Sequence, residues 1–270
     1  MNQRERLALG AQILNKAKEF GATLVGIASV EDLKRAPSFT VAPQMPEYSG
    51  VGAREEKKHA VRAGEVVWPE GARSVVVIAY AHPEEQPELD HWHGQLNPPG
   101  NKKLIATLNA LRDWLKETAG LNGVNLPYHV EKGGIFLKDA AVLAGLGCLG
   151  KNNLLLTPEY GSRVRLRALT LDIELQPTGP LSFDPCAPCD GYCKQACPQN
   201  SFAEQLYSEE KYGRAELPGR NGNYSRVACN QQMKIDEETA ELCAVEGAEP
   251  VKITKYCRCC EFACPVGRGR

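Results

Sequence analysis

Two cysteine runs dominate the chemistry this sequence can perform. The first reads Cys186-x2-Cys189-x3-Cys193-x3-Cys197-Pro198, and the second Cys257-x2-Cys260-x3-Cys264-Pro265. Of the 11 cysteines only Cys148 precedes them; Cys229 and Cys243 fall between the runs, and Cys259 sits inside the second. Thiolates are soft ligands that suit iron–sulfur clusters, zinc and Cu(I) alike. The spacing C-x2-C-x2-C-x3-C-P binds two cubane clusters, with the fourth Cys serving the neighbouring one. Three close thiolates wrap one face of a cubane, and the x3-Cys-Pro step turns the chain away toward the other. The first run has one extra residue between its second and third Cys. The Cys-Pro ending of each run favours two [4Fe-4S] clusters over two structural zinc sites, although C-x2-C pairs also hold zinc. Two such clusters need about eight thiolates. The first run offers four and the second three, so Cys229, Cys243 and Cys259 stay open as the last ligand. Cys259 lies between two ligands of a tight run, where its side chain is expected to point away.

The rest of the chain must position these thiols. Its 270 residues allow one large domain or two modest ones. The cysteines divide it into a Cys-poor part, 1–178, and a Cys-rich part, 179–270. Lys plus Arg is 32 against 33 for Asp plus Glu, a net charge of −1 that gives no electrostatic reason to expect nucleic acid or an acidic membrane surface. The charged N-terminus MNQRERLALG lacks a signal peptide's apolar stretch, and the apolar run Val75–Ala81 is far too short to cross a bilayer. An odd cysteine count without an export signal argues against a disulfide framework, so a cytoplasmic protein with no membrane partner is expected.

Hydrophobic periodicity predicts a mixed chain, α/β or α+β, and the latter is the class carried forward. Leu7, Ile13, Leu14, Ala17 and Phe20 mark a helix over 4–20, and Leu104, Ile105, Leu108, Leu111 and Leu115 mark one over 102–118. Strands are expected at 23–28, at the β-branched run 74–80, at 127–131 and along 163–175, with a short apolar helix at 137–146. Residues 36–72 and 82–100 read as irregular excursions; the second holds His82, His91 and His93. His91 and His93, which flank Trp92, are expected to be solvated loop residues.

The segment LAGLGCLGKNNLLLTPEYGSRVRLRALTLDIEL, residues 143–175, resembles the core signature of epoxyqueuosine reductases. Ala144, Gly145, Leu146, Gly147, Gly150 and Lys151 match that family's Ala-Gly-Leu-Gly-x-x-Gly-Lys pattern, and Gly161-Ser162 its following Gly-Ser. The resemblance extends to TLVGIAS, to ARSVVVIAY and to both cysteine runs, while 82–100 is unlike the family. Related reductive dehalogenases share the architecture but carry an export signal. The resemblance implies a nitroreductase-like cobalamin-binding domain over 1–178 followed by a ferredoxin-like domain over 179–270 with two [4Fe-4S] clusters. It assigns Cys186, Cys189, Cys193 and Cys264 to one cluster and Cys197, Cys229, Cys257 and Cys260 to the other, preferring Cys229 to Cys243. The corrinoid is then expected at Gly145, Gly147, Gly150, Lys151, Asn152, Gly161 and Ser162, and, because no His occupies a ligand motif, cobalt is expected to lack a protein ligand. Exposed N–H groups of such a loop can meet polar cofactor edges.

Two departures stand out. The family's catalytic Asp, in Val-Asp-Ser-Gly, aligns with Glu131 in Val130-Glu131-Lys132-Gly133, where a carboxylic acid could still donate a proton. The family also continues into a C-terminal helical-repeat region that grips tRNA, whereas this sequence stops six residues after Cys264, so tRNA is not expected. The resulting expectation is an oxidoreductase in which two clusters, fed by a low-potential donor such as a ferredoxin or flavodoxin, reduce a corrinoid that acts on a small substrate. The alternatives are a redox partner that reduces or handles another protein's corrinoid, and a ferredoxin-like electron carrier that binds none.

Overall fold

The computed structural model describes residues 1–47, 50, 51, 62–94, 96–245 and 248–268. Helix α1, Gln3–Glu19, begins in a capping box in which Asn2 Oδ1 accepts from Glu5 N at 3.0 Å and Glu5 Oε2 accepts from Asn2 N at 2.8 Å. Its buried stripe is Leu9, Ile13 and Ala17; Leu7, expected on that face, is exposed. Strand β1, Leu24–Ser29, leads into the short helices α2, Val30–Leu33, and α3, Pro37–Val41, so the excursion from residue 36 starts as helix. Residues 48, 49 and 52–61 of that excursion lie outside the described residues.

Strand β2, Ser74–Ala81, is the centre of the main sheet. It pairs antiparallel with β1 on one side and with β7, Val164–Leu171, on the other; β4, Val124–Asn125, completes the order β1-β2-β7-β4. A continuous apolar run in an antiparallel strand requires cover on both faces, and helices supply it. Val75, Val77 and Ala79 pack with Val30 and Leu33 of α2 and with Ala140 and Ala141 of α5, Leu137–Leu143. Val76 and Ile78 pack with α1 and with Leu104, Leu108, Leu111 and Leu115 of α4, Pro99–Ala119.

The strand expected at 127–131 is replaced by a turn. Pro127 has no N–H for a ladder, and Val130–Lys132 forms a 3-10 turn closed by Gly133 at φ 92°. Residues 82–100 are also more ordered than expected. They contain the 3-10 turn Pro87–Asp90 and β3, Trp92–His93. β3 pairs with β9, Ala248–Thr254, whose other neighbour is β8, Glu241–Val245. This small sheet joins the Cys-poor part to the Cys-rich part. A further hairpin joins β5, Cys148–Leu149, to β6, Leu155–Leu156. The Cys-rich part adds the helices α6, Tyr192–Gln195; α7, Glu209–Tyr212; α8, Arg226–Glu238; and α9, Cys259–Phe262. Among the described residues no helix is long and apolar enough to cross a membrane.

Candidate metal centres

The first cysteine run folds as a chain of tight turns that bring its first three thiols to one cavity. Cys189 N donates to Cys186 O at 3.2 Å, and Gly191, at φ 80°, redirects the chain into α6, which carries Cys193. Gly191 N–H also points at Cys189 Sγ, 3.4 Å away. Asp184 Oδ1 accepts from Cys186 N at 3.1 Å and is fixed by Arg220 through two 2.6 Å bonds. Cys264 arrives from the end of α9, so Cys186, Cys189, Cys193 and Cys264 line one cavity of about 210 Å³ together with Lys151, Asn152 and Tyr192. Burial pushes the Cys193 thiol up to about 11, and the neighbouring Cys264, Cys186 and Cys189 add to the rise. Burial raises Cys264 as well, with Cys186 and Cys189 contributing, against opposition from the Val266 N–H and Arg163.

A second group forms from the remaining ends of the runs. Burial raises the Cys260 thiol, and Cys229, Cys257, Glu261 and Cys197 raise it further. Ser201 N–H lies 3.3 Å from Cys197 Sγ, and Cys257 N donates to Asp236 Oδ2 at 2.7 Å. Cys229 sits in the first turn of α8, whose cap is Ser225 Oγ accepting from Ala228 N at 3.1 Å. Burial pushes the Cys257 thiol up to about 12, against the lowering effect of the Cys259 backbone N–H; Cys259 itself is exposed. Cys243 lies on β8 opposite Val251, in the outer hairpin. Cys148 packs beside Cys186 and Cys264, its thiol raised to about 11 by burial and by the charge of Cys186.

Thiols so crowded repel one another as thiolates and ionise readily only when a cation joins them, so metal entry releases their protons. Among the described residues, no three His, Cys, Asp or Glu side chains converge closely enough to hold a single metal ion. A tetrahedral zinc with bonds of about 2.3 Å needs sulfurs about 3.8 Å apart. The first set instead stands around a void.

The residues expected to hold a corrinoid lie between the main sheet and these thiols. Lys151 Nζ donates to Cys189 O at 2.7 Å, Asn152 Nδ2 to Cys260 O at 3.3 Å, and Ser162 Oγ to Glu261 O at 3.3 Å. Arg163, which was not anticipated, donates to Cys264 O at 3.3 Å and Val266 O at 2.8 Å. Gly147 admits protein backbone, since a Cβ there would overlap Leu156 O; at Gly161, φ 55°, a Cβ would overlap Val266 O. Gly145 abuts Gly179, and Gly150 abuts Asn152 and Leu156. Lys151, Asn152, Ser162 and Arg163 therefore grip the cysteine loops by their carbonyls. Glu131 stands apart from them, half-buried on the turn Val130–Lys132. His91 and His93 are half-buried, and His93 is part of β3; burial and then Lys255 lower the pKa of His91.

Sequence reasoning missed a buried charge network behind the second run. Arg165 Nε donates to Asp90 Oδ1 and its Nη2 to Asp90 Oδ2, both at 2.9 Å. Arg165 Nη2 also reaches Glu261 Oε2 at 3.1 Å, and Arg258 pairs with both Asp90 and Glu261. Fully buried His82 places Nδ1 2.9 Å from Asp90 Oδ1. The available signal was charge at Arg163, Arg165 and Arg167 on alternate positions of a strand whose other positions are apolar.

No protein-family model matches the chain. A curated protein from Lactococcus garvieae is 22% identical over 272 residues, covering 97% of this chain and 70% of its own length. Another, from Gloeobacter violaceus, is 30% identical over 205 residues, covering 72% of this chain and 61% of its own. Its relatives are epoxyqueuosine reductases. An epoxyqueuosine reductase structure with an epoxyqueuosine-modified tRNA-Tyr stem loop is 20% identical with a TM-score of 0.58; the match covers 97% of this chain and 66% of that one. A catabolic reductive dehalogenase in complex with 3-bromo-4-hydroxybenzoic acid is 15% identical with a TM-score of 0.64, covering 99% of this chain and 33% of that one. A reductive dehalogenase described by B12-dependent dehalogenation gives 17% identity and a TM-score of 0.50, covering 74% and 26%. These structural likenesses establish a shared mixed helix and strand fold. The tRNA stem loop is a partner of that epoxyqueuosine reductase.

Proposed function

We propose that the chain is an iron–sulfur oxidoreductase with one [4Fe-4S] cluster on Cys186, Cys189, Cys193 and Cys264 and a second on Cys197, Cys229, Cys257 and Cys260. The observation that carries this reading is that Cys186, Cys189, Cys193 and Cys264 line one cavity, while Cys197, Cys229 and Cys257 are neighbours of Cys260 instead. Backbone N–H groups aimed at Cys189 and Cys197 sulfur suit the same groups, because they favour anionic sulfur. When bound, the clusters would supply one-electron transfer at potentials set by cluster charge, hydrogen bonds to sulfur and exposure. The residues of 1–178 would form the nitroreductase-like half and those of 179–270 the ferredoxin-like half, with a ferredoxin or flavodoxin as donor.

The acceptor is a corrinoid in this reading, supported by the epoxyqueuosine reductase relatives and by the B12-dependent dehalogenase with the same fold. The residues singled out for it offer a less direct fit: Gly147 and Gly161 are covered by protein backbone, and Lys151, Asn152 and Ser162 are committed to the cysteine loops. Their contribution is to hold the clusters against the sheet, and no reaction step is routed through the corrinoid. That same covering favours a second reading, in which the chain delivers electrons to a corrinoid carried by another protein. Glu131 is the proton donor in the first reading. Anaerobic reconstitution tests the shared part: about eight irons and about eight sulfides per chain are expected, and stoichiometric zinc without sulfide would refute it. Titration of the reconstituted protein with cobalamin, followed by its visible spectrum, separates an internal corrinoid from an external one.

A further inference from the structure

Two cations from the Cys-poor part flank the first thiol set. Lys151, on the loop between β5 and β6, lines the same cavity of about 210 Å³ as Cys186, Cys189, Cys193 and Cys264. Its Nζ is held on Cys189 O at 2.7 Å. Arg163, just before β7, is 5% exposed; its Nη1 donates to Cys264 O at 3.3 Å and its Nη2 to Val266 O at 2.8 Å. The partners of both cations are carbonyl oxygens, and among the described residues neither forms an ion pair with a carboxylate. The acids nearby do not offset them. Asp184 is neutralised by Arg220 at 2.6 Å, and Asp190, also on the cavity wall, is exposed to water. A cation withdrawn from water without a counter-charge is costly. This wall therefore suits an anion, and four thiolates around a cluster supply one.

We propose that Lys151 and Arg163 are positioning residues that supply the counter-charge of the first thiol set and raise the reduction potential of the cluster it holds. The inference rests on the two-cluster reading above, and it gives Lys151 a role toward the clusters instead of toward a corrinoid. Reduction is a one-electron gain from a low-potential donor; no bond breaks, and both side chains keep their protons. The added charge spreads onto the thiolate sulfurs, and fixed cations stabilise the reduced form more than the oxidised one. The second set carries the other sign at its backbone, where Asp236 Oδ2 accepts from Cys257 N at 2.7 Å.

The test uses the full chain with its clusters, titrated anaerobically with dithionite in the presence of mediators and followed by electron paramagnetic resonance. Cys229→Ser removes the second cluster's signal and so identifies the first. Lys151→Gln removes the charge and keeps an N–H donor for Cys189 O. It should retain wild-type iron and sulfide and lower the first cluster's midpoint by more than the second's. Lys151→Arg should restore the wild-type midpoint. Arg163→Gln should shift the same midpoint in the same direction, so that loss of iron in one variant leaves the other to decide. Loss of iron in both would make the cations purely structural and overturn the inference. Unmoved midpoints at full iron content, or equal shifts of both, would overturn it while leaving the two clusters standing. A wild-type protein that takes up no iron and sulfide overturns the cluster reading and this inference together.

Discussion

Asp90 and Arg258 meet at 2.9 Å across the two parts of the chain. Asp90 ends the turn Pro87–Asp90, and Arg258 stands between Cys257 and Cys260, so the pair ties the 82–100 segment to the second cysteine run. Burial alone would raise the Asp90 carboxyl, but His82, Arg165 and Arg258 together outweigh it and hold the group at about 2. Removing one partner from such a buried set leaves the others uncompensated, and Asp90→Ala should destabilise the protein by about 3 kcal/mol. The pH dependence has a definite sign. Because the folded value lies below the unfolded 3.8, the stabilisation is present above the unfolded value and lost as pH falls through about 2. Urea midpoints of wild type and Asp90→Asn should therefore differ by a constant amount from about pH 5 to about pH 8, and the gap should shrink only in stronger acid. A gap that closes near neutrality would contradict this assignment.

Gly147→Ala separates packing from ligand admission. A methyl there must displace the Leu156 carbonyl, so a loss of about 3 kcal/mol in unfolding free energy is expected, at the upper end of overpacking effects. Gly120, which ends α4 at φ 63° with nothing within 4 Å of a Cβ, provides the contrast. Gly120→Ala should lose only about 1 kcal/mol, the strain of a left-handed residue. Equal thermal stability of wild type and Gly147→Ala, with weakened corrinoid binding, would reassign the glycine to the ligand.

Cys229→Ser should remove about half the iron, because it takes one thiolate from a set of four. Cys243→Ser, on the outer hairpin, should leave iron and sulfide at wild-type levels. Cys259→Ser is the informative intermediate case, since Cys259 lies inside the second run yet is exposed. Full iron content in Cys259→Ser is expected. Iron and sulfide assays on the three anaerobically purified variants decide the matter.

Glu131→Gln should keep the fold, the iron content and any corrinoid binding, and lower reductase turnover by about 10²-fold, the scale of a lost general acid. Glu131 is half-buried on a short turn. Wild-type turnover in this variant would remove the proton-donor role and favour delivery of electrons to an external corrinoid.

Periodicity in the sequence locates α1, β1, β2 and α4 because each buries a face whose spacing is visible in the chain. The run Val75–Ala79 announces burial on both sides but not the direction of its partners, which are antiparallel. The small sheet is illegible for a different reason. In β9 the segment AEPVKIT mixes Pro250 with Glu249 and Lys252, and β3 is two residues set in a proline-rich stretch. Neither shows alternation, and their pairing depends on where the larger parts dock. Cysteine spacing makes the existence of two thiol groups readable, because ligand geometry is local. The roles of Lys151, Asn152 and Ser162 are not local: their partners are backbone carbonyls that any sequence would present.

The grouping of Cys264 with Cys186, Cys189 and Cys193, and of Cys257 and Cys260 with Cys197 and Cys229, also has a consequence for biosynthesis. Neither set is whole until the second run has left the ribosome. A nascent chain carrying the first run alone presents bare thiols and no complete cage. Under the proposed two-cluster assignment, cluster delivery is a single late event gated by synthesis of the last ligands, and premature termination anywhere before Cys257 would cost both clusters at once.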